Sequence, residues 1–166
     1  MSMDRFHQAQ VGRWAGYTTA LAEIRKGGKT SHWIWYVFPQ LDGLGRSSTP
    51  RSYALRDLDE ACTYLRDPVL RHRYEEITTA VAEQLANGVS LEALLGGSTD
   101  GLKLVSSLTL FRAAALNLAQ RDAEHDSAGL AQLCDSILQQ TAAAQTTVPR
   151  IVDISWGCLR TESGDP

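Results

Sequence analysis

Apolar residues recur at spacings of three and four along most of this chain, and each run is bracketed by residues that start or stop helices. Phe6, Gln10, Trp14, Tyr17, Leu21 and Ile24 form the first stripe, within a segment from Asp4 to Lys26 closed by Gly27 and Gly28. That recurrence places them on one face of a helix. Asp57 precedes Leu58, Ala61, Cys62 and Leu65, with Glu60 placed as in a capping box. Asp67-Pro68 restarts the chain with a cap and a proline at the first helical position, and Leu70, Tyr74, Ile77, Val81 and Leu85 carry the next stripe to Asn87-Gly88. Ser90 heads a short helix holding Leu91, Leu94 and Leu95, ended by Gly96-Gly97. Asp100 is the expected cap of a helix running to about Leu118, with Leu104, Leu108, Phe111 and Ala115 inward. Asp126 or Ser127 opens a last long helix through Leu130, Leu133, Cys134, Ile137, Leu138 and Thr141. The pattern predicts an all-α fold, one compact domain of about six to seven helices spanning residues 1–159. Trp156 anchors the apolar stretch from Val148 to Leu159 in this reading, and residues 160–166 are expected to form a disordered tail.

Composition narrows the class. A chain of 166 residues suits one domain and can bury a core that needs no disulfide or metal staple. A formal net charge of -3 argues against a duplex nucleic-acid binder, which carries a clustered basic face. Cys62, Cys134 and Cys158 show no CxxC spacing, so no structural zinc site is expected, and their use fits a reducing compartment. The N-terminus lacks a basic region followed by an apolar run, and no apolar stretch approaches the length of a membrane span. The expectation is a cytoplasmic protein without membrane contact, metal or cofactor.

The chemistry concentrates between Lys29 and Ser48. Thr30 to Gln40 is uncharged apart from His32 and dense in aromatics, and reads as a short buried helix capped by Ser31 and stopped by Pro39. His32, Trp33, Trp35 and Tyr36 supply an imidazole and aromatic faces. Gly43-Leu44-Gly45 can turn successive N–H groups into an anion-binding nest. Lys29, Arg46, Ser47 and Ser48 add cationic and hydroxyl donors. A flat phosphorylated ligand needs that mixture, with a ring to stack and donors for phosphate. The plainer reading makes the aromatics core and His32 a satisfied buried histidine. Gln10, inside an apolar stripe, is either a structural tie or a group facing a pocket.

Lys103, Ser106 and Ser107 form a second cluster, at i, i+3 and i+4 on a mostly apolar helix. Either Lys103 snorkels and the serines bond back to helix carbonyls, or the three hold a phosphate or carboxylate near the helix start. Asp42 and Asp100 join His32 as candidate acids or bases, although each sits where a turn or cap residue is expected. No Walker A loop, GxGxxG after a strand, HExxH or GxSxG is present.

These residues carry a family resemblance. Phe6-x-x-Ala9-Gln10, then Ser31-His32-Trp33-Ile34-Trp35-Tyr36-x-Phe38-Pro39-Gln40-Leu41-x-Gly43-Leu44-Gly45-x-Ser47, and Leu102-Lys103-Leu104-x-Ser106-Ser107-x-Thr109-Leu110-Phe111, resemble a bacterial family of unknown function. Its members are sometimes labelled "calpastatin", a name belonging to disordered eukaryotic repeats that this chain does not resemble. The resemblance covers roughly Asp4 to Ala115 and implies a small all-α fold without an established activity. The chain departs from the family pattern at Arg71, at Asp100-Gly101 and throughout its C-terminal segment.

The expected function is that of an enzyme acting on a small phosphorylated, nucleotide-like ligand derived from NAD or ADP-ribose. One version is N-glycosidic cleavage, by analogy with small all-α glycosidases of similar aromatic flavour. In it Trp33 or Trp35 stacks the base, with Gln40 and the Gly43–Ser47 loop alongside. Lys29, Arg46 and Lys103 hold phosphate, and His32, Asp42 or Asp100 assists the leaving group. The rival reading is a non-catalytic module that senses a nucleotide or docks a protein through its aromatic segment.

Overall fold

The structure, a computed structural model, describes residues 2–43, 52–121 and 127–144. Those residues carry eight helices, α1 (Asp4–Gln10), α2 (Tyr17–Arg25), α3 (Ile34–Val37), α4 (Leu58–Arg66), α5 (Pro68–Ala86), α6 (Leu91–Leu95), α7 (Ser98–Arg121) and α8 (Ala128–Ala144). The all-α fold agrees with the helical periodicity. An isolated bridge joins Leu41 to Leu55, with the Leu55 N–H donating to the Gln40 carbonyl at 2.8 Å. The apolar stretch expected to dock from Val148 to Leu159 and the tail at 160–166 lie outside the described residues.

Three helix starts follow from side-chain caps. Asp57 accepts from the Glu60 N–H at 2.8 Å, and Asp67 accepts from Val69 and Leu70, both at 3.0 Å, with Pro68 beginning α5. Ser90 caps α6, and Gly96 ends it at φ 72°. Several expectations need correction. The first stripe is two helices, because the chain turns sharply between Val11 and Gly16. A Cβ at Gly16 would lie 2.2 Å from the Gly12 carbonyl oxygen, so this close approach admits only glycine. Trp14, expected inward, is 88% exposed on that turn. Ser31 does not cap α3; its hydroxyl and N–H both donate to Glu23 instead. α7 starts at Ser98, so Asp100 stands in its first turn rather than before it.

α7 is the axis of the core and packs against α4, α6 and α8. By length and composition alone it could cross a membrane, contrary to the expectation that no stretch would. Its Leu104, Leu108, Phe111, Ala115 and Leu118 are nonetheless fully buried within the bundle, as in a core helix. Phe111 stacks on Tyr74 of α5 with ring centroids 4.2 Å apart and meets the edge of Tyr64 of α4 at 5.1 Å. Tyr64 meets Phe6 of α1 at 5.1 Å, so one aromatic cluster joins α1, α4, α5 and α7.

Candidate functional site

The corner between α6 and α7 fixes the position of the candidate site. The Lys29 N–H donates to the Leu94 carbonyl at 2.8 Å, which ties the Lys29–Trp33 segment to α6. A Cβ at Gly96 would stand 3.0 Å from the Lys29 carbonyl oxygen, so the glycine that ends α6 also admits this segment. On the other side Glu23 of α2 gathers five donors. They are the Thr30 N–H and hydroxyl (2.9 and 2.8 Å), the Ser31 N–H and hydroxyl (3.0 and 2.5 Å), and the Trp33 indole N–H (2.7 Å). Burial pushes the Glu23 carboxyl up, but these donors outweigh it and hold the group down at about 2.

So anchored, the segment faces the first turn of α7 across a cleft of about 530 Å³. Lys29, His32, Trp35, Glu92, Asp100 and Lys103 are its side chains of chemical interest, and Gly96, Gly97, Ser98 and Thr99 line its α7 end. The volume falls in the range of small-molecule sites. Asp100 lies between two ammonium groups, with Oδ2 at 2.6 Å from Lys29 Nζ and Oδ1 at 2.7 Å from Lys103 Nζ. Lys103 Nζ also stands 4.5 Å from the centre of the Trp35 ring, and Lys29 Nζ 5.5 Å from that of Trp33. The Lys29 side chain is only 7% exposed, a depth at which an ammonium needs a counter-charge, and Asp100 provides it. Burial pushes the Asp100 carboxyl up, but the two lysines prevail and hold it below its usual range. It is a carboxylate at neutral pH, with each oxygen paired to an ammonium group.

The structure therefore brings together Lys29, His32, Trp35, Asp100 and Lys103 from the residues singled out in the sequence, and it separates the other described ones from them. Trp33 is wholly buried and offers no face for stacking. Gln10 is the structural tie. Its amide donates to the Tyr36 carbonyl at 2.8 Å and the Tyr64 hydroxyl at 3.1 Å, and accepts from Arg73 at 3.2 Å. Ser107 points into the core, 3.1 Å from the Tyr74 hydroxyl, while Ser106 is half-buried and does not line the cleft. The three-residue cluster on α7 is thus divided, since Ser107 also neighbours the buried Leu104 and Phe111 on the helix. Asp42 accepts from the Gly43 N–H at 2.8 Å in a local turn, and Asp42, Gly43 and Gln40 stand apart from the cleft. Gly45, Arg46 and Ser47 lie outside the described residues. Glu23, Glu92 and the Gly96–Thr99 turn were not anticipated. The paired glycines followed by Ser98-Thr99 were a visible signal, which the helix-stop reading absorbed.

Fold and cleft define a small helical-bundle domain whose candidate site pairs two lysines with one carboxylate at the start of its core helix. The chain belongs to the family described as "Protein of unknown function (DUF1810)", whose profile matches residues 1–144. Among solved structures it is similar to the conserved hypothetical protein Rv1873 from Mycobacterium tuberculosis, at 35% identity and a TM-score of 0.64, covering 87% of this chain and 96% of that one. No curated protein matches.

Proposed function

We propose that this domain binds a small, phosphorylated, nucleotide-like ligand in the cleft between Lys29–Trp35 and the first turn of α7, and acts on it as an enzyme of the cytoplasm. The observation that carries the reading is the Lys29–Asp100–Lys103 triad beside Trp35. Trp35 is the aromatic wall for a base. The two lysines, with the N-terminal end of α7, form the side that attracts an anionic group. Asp100, held as a carboxylate between the two lysines, is the group assigned to stabilise positive charge on a sugar ring.

For N-glycosidic cleavage, the bond between the anomeric carbon and the base nitrogen breaks, and the oxygen of a water molecule bonds to that carbon. Asp100 stabilises the sugar cation and takes the proton of the water, while His32, exposed at the cleft, protonates the departing base. A non-catalytic sensor would use the same cleft without turnover. Thermal melts against nucleotides, dinucleotides, ADP-ribose and sugar phosphates test the binding. A ligand at a hundredfold excess over Kd adds about 2.7 kcal/mol to stability. Lys103→Met should abolish the shift while leaving the fold intact; a shift unchanged in that variant removes Lys103 from the site. Release of free base by the wild type would separate enzyme from sensor.

A further inference from the structure

We infer that the cleft selects ligands of low negative charge, monoanions or zwitterions, and that Asp100 sets this limit by standing where a phosphate would otherwise lie. The inference rests on the proposed function and names the ligand class of that same site. Three features here ordinarily welcome a polyphosphate, namely two lysines and the N-terminal turn of a 24-residue helix. All three already face one carboxylate. Each Asp100 oxygen is taken by a different ammonium, at 2.6 and 2.7 Å, and Asp100 itself belongs to the first turn of α7. Glu92, exposed at the rim, adds a second negative charge. The charged groups lining the cleft are thus Lys29 and Lys103 against Asp100 and Glu92, two of each sign, with His32 beside them.

The lysines still have N–H donors beyond the one each directs at Asp100, so an incoming anion can share them. Every charge beyond the first must then approach Asp100 and Glu92 without a further cation to offset the repulsion. The cleft suits a phosphodiester, a carboxylate or a ligand whose phosphate is balanced by a positive ring, with the planar group against Trp35. Asp100 is a specificity-determining residue in this arrangement, and also the counter-ion of the buried Lys29 side chain.

A charge series on one base tests this, with adenosine, cyclic AMP, AMP and ATP measured by calorimetry against the whole chain. Cyclic AMP, the monoanion, should bind the wild type best, with affinity falling about fivefold for each charge added beyond it. Asp100→Asn removes one negative charge and should move the preference up by one, AMP gaining about fivefold on cyclic AMP. Circular dichroism checks that this variant folds, since it strips Lys29 of its partner. Glu92→Gln removes a charge at the exposed rim without touching Lys29 and should shift the preference the same way. Affinity rising steadily from cyclic AMP to ATP in the wild type would overturn the inference while leaving the proposed function standing. No heat with any of the four would overturn both.

Discussion

Glu23 accepts hydrogen bonds from three residues, seven to ten positions along the chain, and so fixes the segment that carries Lys29, His32 and Trp35. Its folded value of about 2 lies below the ordinary 4.5, which sets the sign of its pH dependence. The stability it contributes is complete above about 4.5 and is lost as pH falls toward about 2. Glu23→Gln keeps one acceptor oxygen but turns an amide N–H2 toward N–H and O–H donors. It should cost about 1–3 kcal/mol at neutral pH. Urea melts at pH 7 and at pH 3 check this: the deficit of the variant should shrink at the lower pH, and an equal deficit at both would mean that the charge of Glu23 contributes nothing. No periodic signal marks such a residue. Glu23 lies among the polar positions of α2, and its donors come from beyond the Gly27-Gly28 turn, so only the folded chain reveals the connection. Asp100, by contrast, was legible as a helix-start residue. Its link to Lys29 was not, because that needs the Lys29 N–H pinned to α6.

The helices most legible in the sequence are those whose caps do chemical work. Asp67 is the clearest, since one oxygen accepts from Val69 and Leu70 while the other lies 2.7 Å from His7 Nε2, joining the start of α5 to α1. Burial pushes the Asp67 carboxyl up, but the Leu70 N–H and His7 outweigh it and hold it below its usual range. Asp67→Ala removes a cap and the inter-helix pair together and should lower stability by about 1–2 kcal/mol. Asp67→Asn retains an acceptor for the backbone and should lose less, and thermal melts of the two variants at neutral pH check the order. If both lose equally, the His7 pair, and not the cap, is the stabilising part. The break between α1 and α2 was hidden for a related reason. A helix stripe and two shorter helices share the same apolar spacing, and the deciding contact is the Gly16 backbone packed on the Gly12 carbonyl. Spacing also placed Ser107 beside Lys103, although a helix of 24 residues inside a bundle has neighbours on several sides and buries more than one stripe.

For the whole molecule, all-α architecture and much of the core were readable because each stripe needs a partner face and the bundle supplies it. The cleft was readable in part. Its residues come from α3, α6, α7 and the segment before α3, and their meeting depends on how α7 is seated, a property of the packed core rather than of any local motif. Phe111 is the residue that seats it, wholly buried, stacked on Tyr74 and edge-on to Tyr64. Truncation there removes contacts to two neighbouring helices at once and leaves a cavity in the middle of the aromatic cluster. The cluster can close only slightly, because the Tyr74 hydroxyl pairs with Ser107 and the Tyr64 hydroxyl accepts from Gln10. Phe111→Ala should therefore cost about 3–5 kcal/mol, and Phe111→Leu, which refills much of the volume, roughly 1–2 kcal/mol. Urea denaturation of the three proteins reads both losses. Should the alanine variant lose less than about 1 kcal/mol, α7 would be seated by its contacts with α8 instead of by the aromatic cluster.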